Sequence, residues 1–282
     1  MVEKIARTLL GGDFELKELS QEASPRRYFR IGQHQQLMVL SEAPPAKLSQ
    51  QLLTKCNIRT PQFGTAIDGA YLIEDIGDLH LAHQATLTNY SRLIQQWLQF
   101  AESELDPQHP NANIFLNSDL FQKELSQFVN SYLLDYRRLQ LPETQQADIN
   151  ELCRRLAEDA AEGPQCLQHR DFHCRNILLS ADNQLVWIDY QDLRRGPIFY
   201  DLASLFTDAY IDLDDDIYEL LTSTAIKFGQ RHGLSAAYSM AQFHLTALQR
   251  VLKALGTFGL LLKRGRSEYL SAEQRARIIA IA

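Results

Sequence analysis

The sequence feature that most constrains the fold is the segment 169–176, which reads His-Arg-Asp-Phe-His-Cys-Arg-Asn. Within it, Asp171 is followed five residues later by Asn176. A further acid, Asp189, comes thirteen residues after Asn176, at the end of the apolar run 185–188. The chain must therefore fold so that a polar loop and the end of a short apolar strand present two carboxylates and an amide.

Groups of these types in this order are typical of phosphoryl transfer, whose loose transition state is stabilised mainly by positioning and charge neutralisation. Asp171 would accept the proton of the attacking hydroxyl. Asn176 and Asp189 would be ligands of Mg²⁺, which prefers hard oxygen ligands. His169 completes this predicted catalytic set, and we expect it to brace the loop by hydrogen bonding. The alternative is a polar loop between two strands, which would make both Asp189 and the segment 196–201 coincidences.

Composition narrows the class of partner. The chain has 282 residues, 45% of them hydrophobic, which is ample for a core of its own. A formal net charge of -7 and a pI of about 5.6 argue against a general nucleic-acid binder, which needs a basic face. An acidic cleft could still attract a cationic small molecule. We therefore expect a small-molecule substrate and no nucleic-acid partner, and the sequence leaves the oligomeric state open.

The cysteines indicate a reducing compartment. Cys56, Cys153, Cys166 and Cys174 include no pair with metal-ligand or redox spacing. Cys174 lies inside the 169–176 loop, where we interpret it as a small filler because no base is dedicated to it. The N-terminus lacks a signal-peptide core, and no apolar run reaches membrane-spanning length. These features predict a soluble cytoplasmic protein with no membrane partner.

Hydrophobic periodicity divides the chain into two parts. The first 75 or so residues favour a small sheet, with one short helix at 47–56. Its predicted strands are 14–19, 28–31, 37–40 and 71–75. From about residue 88 the period becomes helical. The sequence thus predicts an α+β, two-lobed fold, with a β-rich nucleotide-binding lobe over 1–78, a helical lobe with the catalytic loop and substrate site over 79–282, and ATP between them.

Local signals predict where three helices begin in the second part. A capping box formed by Asp148 and Glu151 is expected to start one helix. Asp201 is expected to be the N-cap of the next. A second capping box, Ser271 with Gln274, is expected to start the last helix.

The segment joining the first two predicted strands is a candidate phosphate-binding loop. It contains Ser24, Arg26 and Arg27, which offer a hydroxyl and two guanidiniums that bind phosphate well. The alternative is a solvated turn with exposed arginines. The third strand, within 36–42, lacks the lysine that kinases place there. Arg27 or Arg30 could replace it, or the phosphates could be held differently.

The end of the fourth predicted strand, with the residues directly after it, is a candidate adenine site. We expect adenine to bond to the backbone near Glu74 and Ile76. The alternative is a strand end with solvated acids.

An acidic cluster comprises Asp208, Asp212 and the acids at 214–216. We interpret 214–216 as the start of the next helix, where acids favour its positive end. The alternative is contact with a polar substrate.

The chain resembles the aminoglycoside phosphotransferase/choline kinase-like superfamily, through His169-x-Asp171-x-x-x-x-Asn176 and Asp189. Within it, the chain is similar to a bacterial subgroup of kinases that phosphorylate N-acetylmuramate and N-acetylglucosamine at C1. The segments that carry the second likeness are 23–30, 42–45, 188–192 with 196–202, and 248–258.

This resemblance implies transfer from ATP, with Mg²⁺, to an alcohol group. It implies that Asp171 is the base, that Asn176 and Asp189 are Mg²⁺ ligands, and that Asp201 anchors the loop. The implied acceptor is the anomeric hydroxyl of an N-acetylated amino sugar, in cell-wall sugar recycling. Two alternatives stay open: a kinase of another hydroxyl compound (an aminoglycoside, choline or a different sugar), and a nucleotide-binding pseudokinase.

Overall fold

The computed structural model describes residues 2–11, 14–19, 26–32, 35–41 and 46–281. Its strands are β1 (Leu16–Glu18), β2 (Arg27–Ile31), β3 (Gln36–Leu40), β4 (Phe63–Ile67), β5 (Ala70–Glu74), β6 (Gln165–Gln168), β7 (Ile177–Leu179), β8 (Leu185–Trp187) and β9 (Arg194–Pro197). Its α-helices are α1 (Val2–Leu10), α2 (Lys47–Lys55), α3 (Leu87–Ala101), α4 (Ser118–Gln127), α5 (Glu143–Ala161), α6 (Tyr200–Phe206), α7 (Asp215–Arg231), α8 (Ala236–Lys263) and α9 (Leu270–Ile279).

The chain divides into two compact units. The first comprises Met1–His80 and Ile177–Gln191, and the second comprises Leu81–Asn176 and Asp192–Ala282. The first unit therefore extends beyond the predicted lobe 1–78, because a segment from much later in the chain packs with it.

The first unit is built on a five-stranded antiparallel sheet with the strand order β1-β2-β3-β5-β4. The four predicted strands and the helix α2 are confirmed. Strand β4 was not predicted, and its sequence, Phe-Gly-Thr-Ala-Ile, explains why. Its only large apolar residues are the two ends, and its centre is exposed, so it carries no alternating pattern.

Helix α1 corrects the expectation that the start of the chain is all strand. Its buried residues Ala6 and Leu9 pack in one cluster with Phe29, Ile31 and Met38 of the sheet. The helix has only nine residues. A helix this short is stabilised by its packing against the sheet more than by its own propensity, so its local sequence is a weak signal.

The hairpin formed by β7 and β8 returns the chain to the first unit. The Trp187 N–H donates to the Arg59 carbonyl at 2.9 Å, and the Arg59 guanidinium contacts the Asp182 carboxylate at 3.0 Å. Its strands pair in an antiparallel register, with Ile177 opposite Trp187 and Leu179 opposite Leu185. Its packing with the first unit fixes the end of β8 and the residues that follow it.

Helix α8 forms much of the core of the second unit. It crosses a π-helix, Phe128–Tyr136, that continues α4, and two glycines permit the close approach. A Cβ atom on Gly256 would lie 2.8 Å from the backbone nitrogen of Phe128, and one on Gly259 would lie 2.8 Å from the Ser131 carbonyl oxygen. Any larger side chain at these two positions would push the helices apart.

By length and composition α8 also passes as a membrane-spanning helix, so the expectation that no apolar run is long enough does not hold for this segment. The buried core helix of a soluble protein passes the same test.

Three predicted N-caps are wrong. Helix α5 begins at Glu143, directly after Pro142, so Asp148 lies inside it. A proline with extended ψ ends the preceding segment, and an acid follows in the first turn, which favours this earlier start. Asp201 lies in the first turn of α6, whose N-cap is Phe199. A 3₁₀ turn runs directly into α9, which places Ser271 inside that helix.

Candidate active site

The loop at 169–176, here called the Asp171 loop, is anchored by Asp201. This buried carboxylate accepts hydrogen bonds from the backbone N–H groups of His169, at 2.6 Å, and Arg170, at 3.0 Å. It also accepts one from the indole N–H of Trp97 at 3.3 Å. Burial raises the pKa of Asp201, although the backbone donors oppose that effect. The geometry thus gives Asp201 the anchoring role that the resemblance implied.

The backbone immediately before Asp171 adopts an uncommon conformation. Arg170 has a φ of +82°, in the left-handed region that L-residues rarely adopt. Its side chain reaches Asp192, with an Nη1 to Oδ2 distance of 2.8 Å. Such local strain persists where the surroundings determine it, and it often marks functional sites. Here the two Asp201 contacts and the Asp192 ion pair supply those surroundings.

Asp171 forms an ion pair with Lys253 of α8, with its Oδ1 2.9 Å from Nζ. The Asp171 side chain is 32% exposed, so a small molecule can reach it. Burial alone would raise the pKa of Asp171, but nearby cations, Lys253 first among them, outweigh burial and hold the pKa well below its usual range. The carboxylate is therefore ionised and can accept a hydrogen bond from a hydroxyl.

Asn176 is oriented by the backbone of the same loop. Its Nδ2 donates to the Asp171 carbonyl at 2.8 Å. Because that contact requires the amide nitrogen, the orientation of Oδ1 is fixed as well. Among the residues that the structure describes, none donates a hydrogen bond to this oxygen. The Asn176 amide oxygen therefore has no protein donor within the described part of the chain, and the prediction that it is a Mg²⁺ ligand requires such an oxygen.

Cys174 and His169 are both buried in the loop. The Cys174 N–H donates to the Asp208 carboxylate at 2.7 Å, and burial raises the pKa of its thiol far above the usual range. A thiol that stays protonated is a poor nucleophile. The His169 ring packs against Phe172, with the ring centroids 5.5 Å apart. Both side chains are therefore packed inside the loop and stabilise its conformation.

Asp189 belongs to the first unit and follows the end of β8. It has a φ of +59°, again in the left-handed region, and its side chain is exposed. The Gln191 amide donates to Asp189 Oδ1 at 2.7 Å, and the Gln191 carbonyl oxygen accepts from Arg26 at 3.0 Å. The structure therefore connects two predicted site residues, Arg26 and Asp189, through Gln191.

Two other predicted nucleotide-binding residues, Arg27 and Glu74, are bonded to groups of the protein. Arg27 forms two contacts with Glu18, at 2.8 and 3.0 Å. The Glu74 carboxylate accepts from Arg59 at 3.0 Å and from the Gln62 N–H at 3.1 Å. Ser24 lies outside the described residues, and Ile76 follows β5 and is partly buried.

Arg30, a suggested replacement for the third-strand lysine, forms ion pairs with Asp75 and Asp78. Arg26 is therefore the better candidate for the phosphates, because it lies beside the proposed metal ligand Asp189.

The acidic cluster is mostly engaged in structural contacts. Asp208 accepts hydrogen bonds from two backbone N–H groups, those of Cys174 and Tyr210. Asp212 forms an ion pair with Arg275 at 2.5 Å. Asp214 is the N-cap of α7, and acids follow it in the first turn. The structure thus supports the interpretation that 214–216 start a helix, and it shows in addition that Asp208 braces the Asp171 loop.

The donor set suits Mg²⁺ better than a metal that needs a full protein cage. In the described part of the chain, no group of three or more His, Cys, Asp or Glu residues could hold a metal ion. Mg²⁺ commonly takes one or two protein carboxylates and completes its shell with waters and substrate phosphates. Asn176 offers an amide oxygen and Asp189 offers a carboxylate, and both are ligand types that Mg²⁺ uses.

Comparisons with known proteins agree with this chemistry. Residues 65–233 match the model of the phosphotransferase enzyme family, and the chain belongs to that family. It is a kinase that phosphorylates a hydroxyl group. The chain is 26% identical over 275 residues to a Pseudomonas putida protein named N-acetylmuramate/N-acetylglucosamine kinase, covering 90% of this chain and 79% of that one.

Solved structures confirm the predicted kinase-like α+β fold. The ADP-bound aminoglycoside phosphotransferase APH(2'')-Ib matches with a TM-score of 0.63 and 15% identity, over 98% of this chain and 96% of that one. A choline/ethanolamine kinase family protein from Mesorhizobium loti matches with a TM-score of 0.65 and 14% identity, over 99% and 94%. At these identities the likeness concerns the fold.

Sequence reasoning missed Lys253 and Gln191 as site residues. Lys253 stands 82 positions from Asp171, and nothing local links the two. A lysine in the long apolar run of α8 is nevertheless a detectable signal, because a charged residue on a buried helix usually has a specific partner. Gln191 lies two residues after Asp189, and only its side-chain contacts reveal its position.

Proposed function

We propose that this kinase uses ATP and Mg²⁺ to phosphorylate the anomeric hydroxyl of N-acetylmuramate and N-acetylglucosamine. The observation that carries the chemistry is the Asp171 loop, in which an ionised, accessible carboxylate is held by Lys253 while Asn176 is bonded to its backbone. The acceptor assignment is supported by the name of the Pseudomonas putida relative, N-acetylmuramate/N-acetylglucosamine kinase, and by the sequence likeness over most of the chain.

In this mechanism Asp171 accepts a hydrogen bond from the acceptor hydroxyl and takes its proton as the hydroxyl oxygen bonds to the γ-phosphorus of ATP. The bond from that phosphorus to the β–γ bridging oxygen breaks, and ADP leaves. Asn176 and Asp189 would hold Mg²⁺, which when bound neutralises charge on the phosphates. Asp201 keeps the loop in place through its two backbone contacts. Arg26 is positioned beside Asp189 by Gln191 and would contact phosphate oxygens.

A cationic acceptor is less well supported. Two members of the acidic cluster that would favour an aminoglycoside have protein partners, because Asp212 is paired with Arg275 and Asp208 accepts from backbone N–H groups. Similarity to aminoglycoside and choline kinases concerns the fold. An N-acetylated sugar needs no unpaired carboxylates, so the amino-sugar acceptor agrees better with the contacts in the second unit.

The test is to incubate the protein with ATP, Mg²⁺ and each sugar, and to identify the product by phosphorus NMR and mass spectrometry. The expected product is the sugar 1-phosphate, and Asp171→Asn should abolish it. The methyl glycoside of N-acetylglucosamine, whose anomeric hydroxyl is blocked, is the matched substrate control and should yield no product. Phosphorylation of the methyl glycoside would refute the anomeric assignment, and transfer only to kanamycin or choline would refute the amino sugar.

A further inference from the structure

Lys253 lies directly beside the candidate base. Its Nζ is 2.9 Å from Asp171 Oδ1, and its side chain is 18% exposed. The lysine reaches this position from α8, whose glycines at 256 and 259 hold the helix against the π-helix backbone. Its ammonium is therefore placed by the core of the second unit, and any acceptor hydroxyl bonded to Asp171 must come close to it.

The ammonium has hydrogen-bonding capacity beyond Asp171. A lysine ammonium carries three N–H donors. Within the described residues, Asp171 is the acceptor that Lys253 meets, which accounts for one of the three. The remaining donors can reach oxygen atoms of an acceptor whose hydroxyl is bound by Asp171. Hydroxyl, ether and carboxylate oxygens accept such bonds, and an ammonium group does not.

Each of the other charged groups near this pair has a partner within the protein, and the partners of Arg250 and Glu124 are neutral. Arg250, also on α8, donates to the Tyr200 hydroxyl at 2.5 Å. Glu124 of α4 accepts from Gln249 at 2.8 Å, and Arg170 pairs with Asp192. The buried Asp201 is bonded to the loop backbone. A cationic acceptor would therefore find its natural partner, Asp171, already paired with a cation, and like charges placed together are disfavoured.

We propose that Lys253 is a specificity-determining residue that holds the Asp171 carboxylate and selects acceptors carrying oxygen, rather than ammonium, beside the reacting hydroxyl. This inference rests on the proposed function and deepens it, because it states why an N-acetylated sugar is accepted. Lys253 acts on the acceptor in two ways: its free N–H donors bind acceptor oxygens, and its charge opposes an amine.

The test compares two acceptors with the same anomeric hydroxyl, N-acetylglucosamine and glucosamine, at a pH where the glucosamine amine is protonated. Wild-type protein should prefer the neutral sugar. Lys253→Met should lower kcat/KM for N-acetylglucosamine roughly 10- to 100-fold, the loss of a hydrogen bond to a charged group. It should also reduce the ratio of kcat/KM for N-acetylglucosamine to kcat/KM for glucosamine by about tenfold, because the lysine charge that opposes the glucosamine amine is gone.

Two further variants separate the contributions. Lys253→Gln removes the charge and keeps N–H donors, so it should narrow the preference as Lys253→Met does, with a smaller loss of kcat; it also serves if Lys253→Met fails to fold. Lys263→Met is the matched control, because Lys263 lies on the same helix and pairs with an exposed acid, Asp135, at 2.6 Å. The control should retain both kcat/KM and the preference. Melting temperatures of all variants report folding.

The outcomes distinguish the two proposals. If both sugars lose activity in the same proportion in Lys253→Met and Lys253→Gln, Lys253 is only structural and the inference is overturned while the proposed function stands. A wild-type preference for glucosamine would overturn the inference as well. Transfer to kanamycin in place of the sugars would overturn both. A narrowed preference in both variants, with the control unchanged, supports the inference.

Discussion

The two units hold their proposed catalytic acids in different ways. In the second unit, Asp171 is paired with Lys253, and its loop is fixed by a buried carboxylate. In the first unit, Asp189 is exposed, and its side chain accepts a hydrogen bond from the neutral amide of Gln191. The difference agrees with the proposed roles. A base must be ionised and positioned before the acceptor binds, whereas a metal ligand meets its charge partner only when the metal binds with the nucleotide.

The largest expected effect separates these two acids. Asp171→Asn should reduce transfer roughly 10²- to 10⁴-fold, the usual contribution of a general base. It should leave the Mg²⁺-dependent stabilisation by ATP intact. Asp189→Asn should lose transfer to a similar extent and should also lose that stabilisation. Thermal-shift titration with ATP, with and without Mg²⁺, measures the difference.

The matched control for this comparison is Asp182→Asn. Asp182 lies in the same hairpin as Asp189 and pairs with Arg59. It should keep both transfer and Mg²⁺-dependent binding. Equal Mg²⁺-dependent stabilisation in the Asp171 and Asp189 variants would contradict the division of roles.

A smaller effect is expected from the anchor of the Asp171 loop. Asp201→Asn replaces one acceptor oxygen by an amide that faces a backbone N–H, so it should lower the free energy of unfolding by roughly 2–3 kcal/mol. Urea denaturation would measure it. Asp212→Asn is the control, because Asp212 is exposed and its ion pair with Arg275 should contribute less than about 1 kcal/mol. Equal losses of unfolding free energy in the two variants would show that the buried Asp201 carboxylate contributes no more stability than the exposed ion pair of Asp212.

The smallest effect should come from the first unit. Asp78→Asn removes the ion pair between Arg30 and Asp78, whose side chain is 74% exposed, and leaves the pair between Arg30 and Asp75 in place. The expected loss is at most about 1 kcal/mol, and it should shrink further in high salt. Denaturation at low and high ionic strength tests this. A loss as large as that of Asp201→Asn, or one independent of salt, would remove the contrast between the units.

The sequence predicted most of the fold because strong periodic patterns coincide with real elements. The strands β2, β3 and β5 and the helices α3 and α8 follow their apolar patterns closely. Elements with a weak apolar pattern, such as β4 and α1, were not predicted. Helix starts were predicted from capping pairs, and the Asp148 and Ser271 pairs were wrong because neighbouring segments began the helix first.

At the site, spacing within one short segment was informative and long-range pairing was not. The motif placed Asp171 and Asn176 in one loop, and the structure bonds Asn176 to the Asp171 carbonyl. Asp201 was predicted as a helix cap from local pattern, whereas its carboxylate is used by a loop 31 and 32 residues earlier. The position of Lys253 in an apolar helix suggests that it has a partner, but no neighbouring residue identifies that partner as Asp171.

The return of the chain to the first unit has a consequence for biosynthesis. Residues 1–80 leave the ribosome before the hairpin of β7 and β8, which supplies the Trp187 N–H to Arg59, has been made. The first unit therefore cannot complete its structure until residue 191 has been translated, and nearly a hundred residues of the second unit emerge in the interval. Domains generally fold as units during synthesis. In this protein the first unit can be completed only after much of the second unit has been synthesised. Because the first unit is formed by two separate segments of the chain, no single cut in the gene would separate the two units.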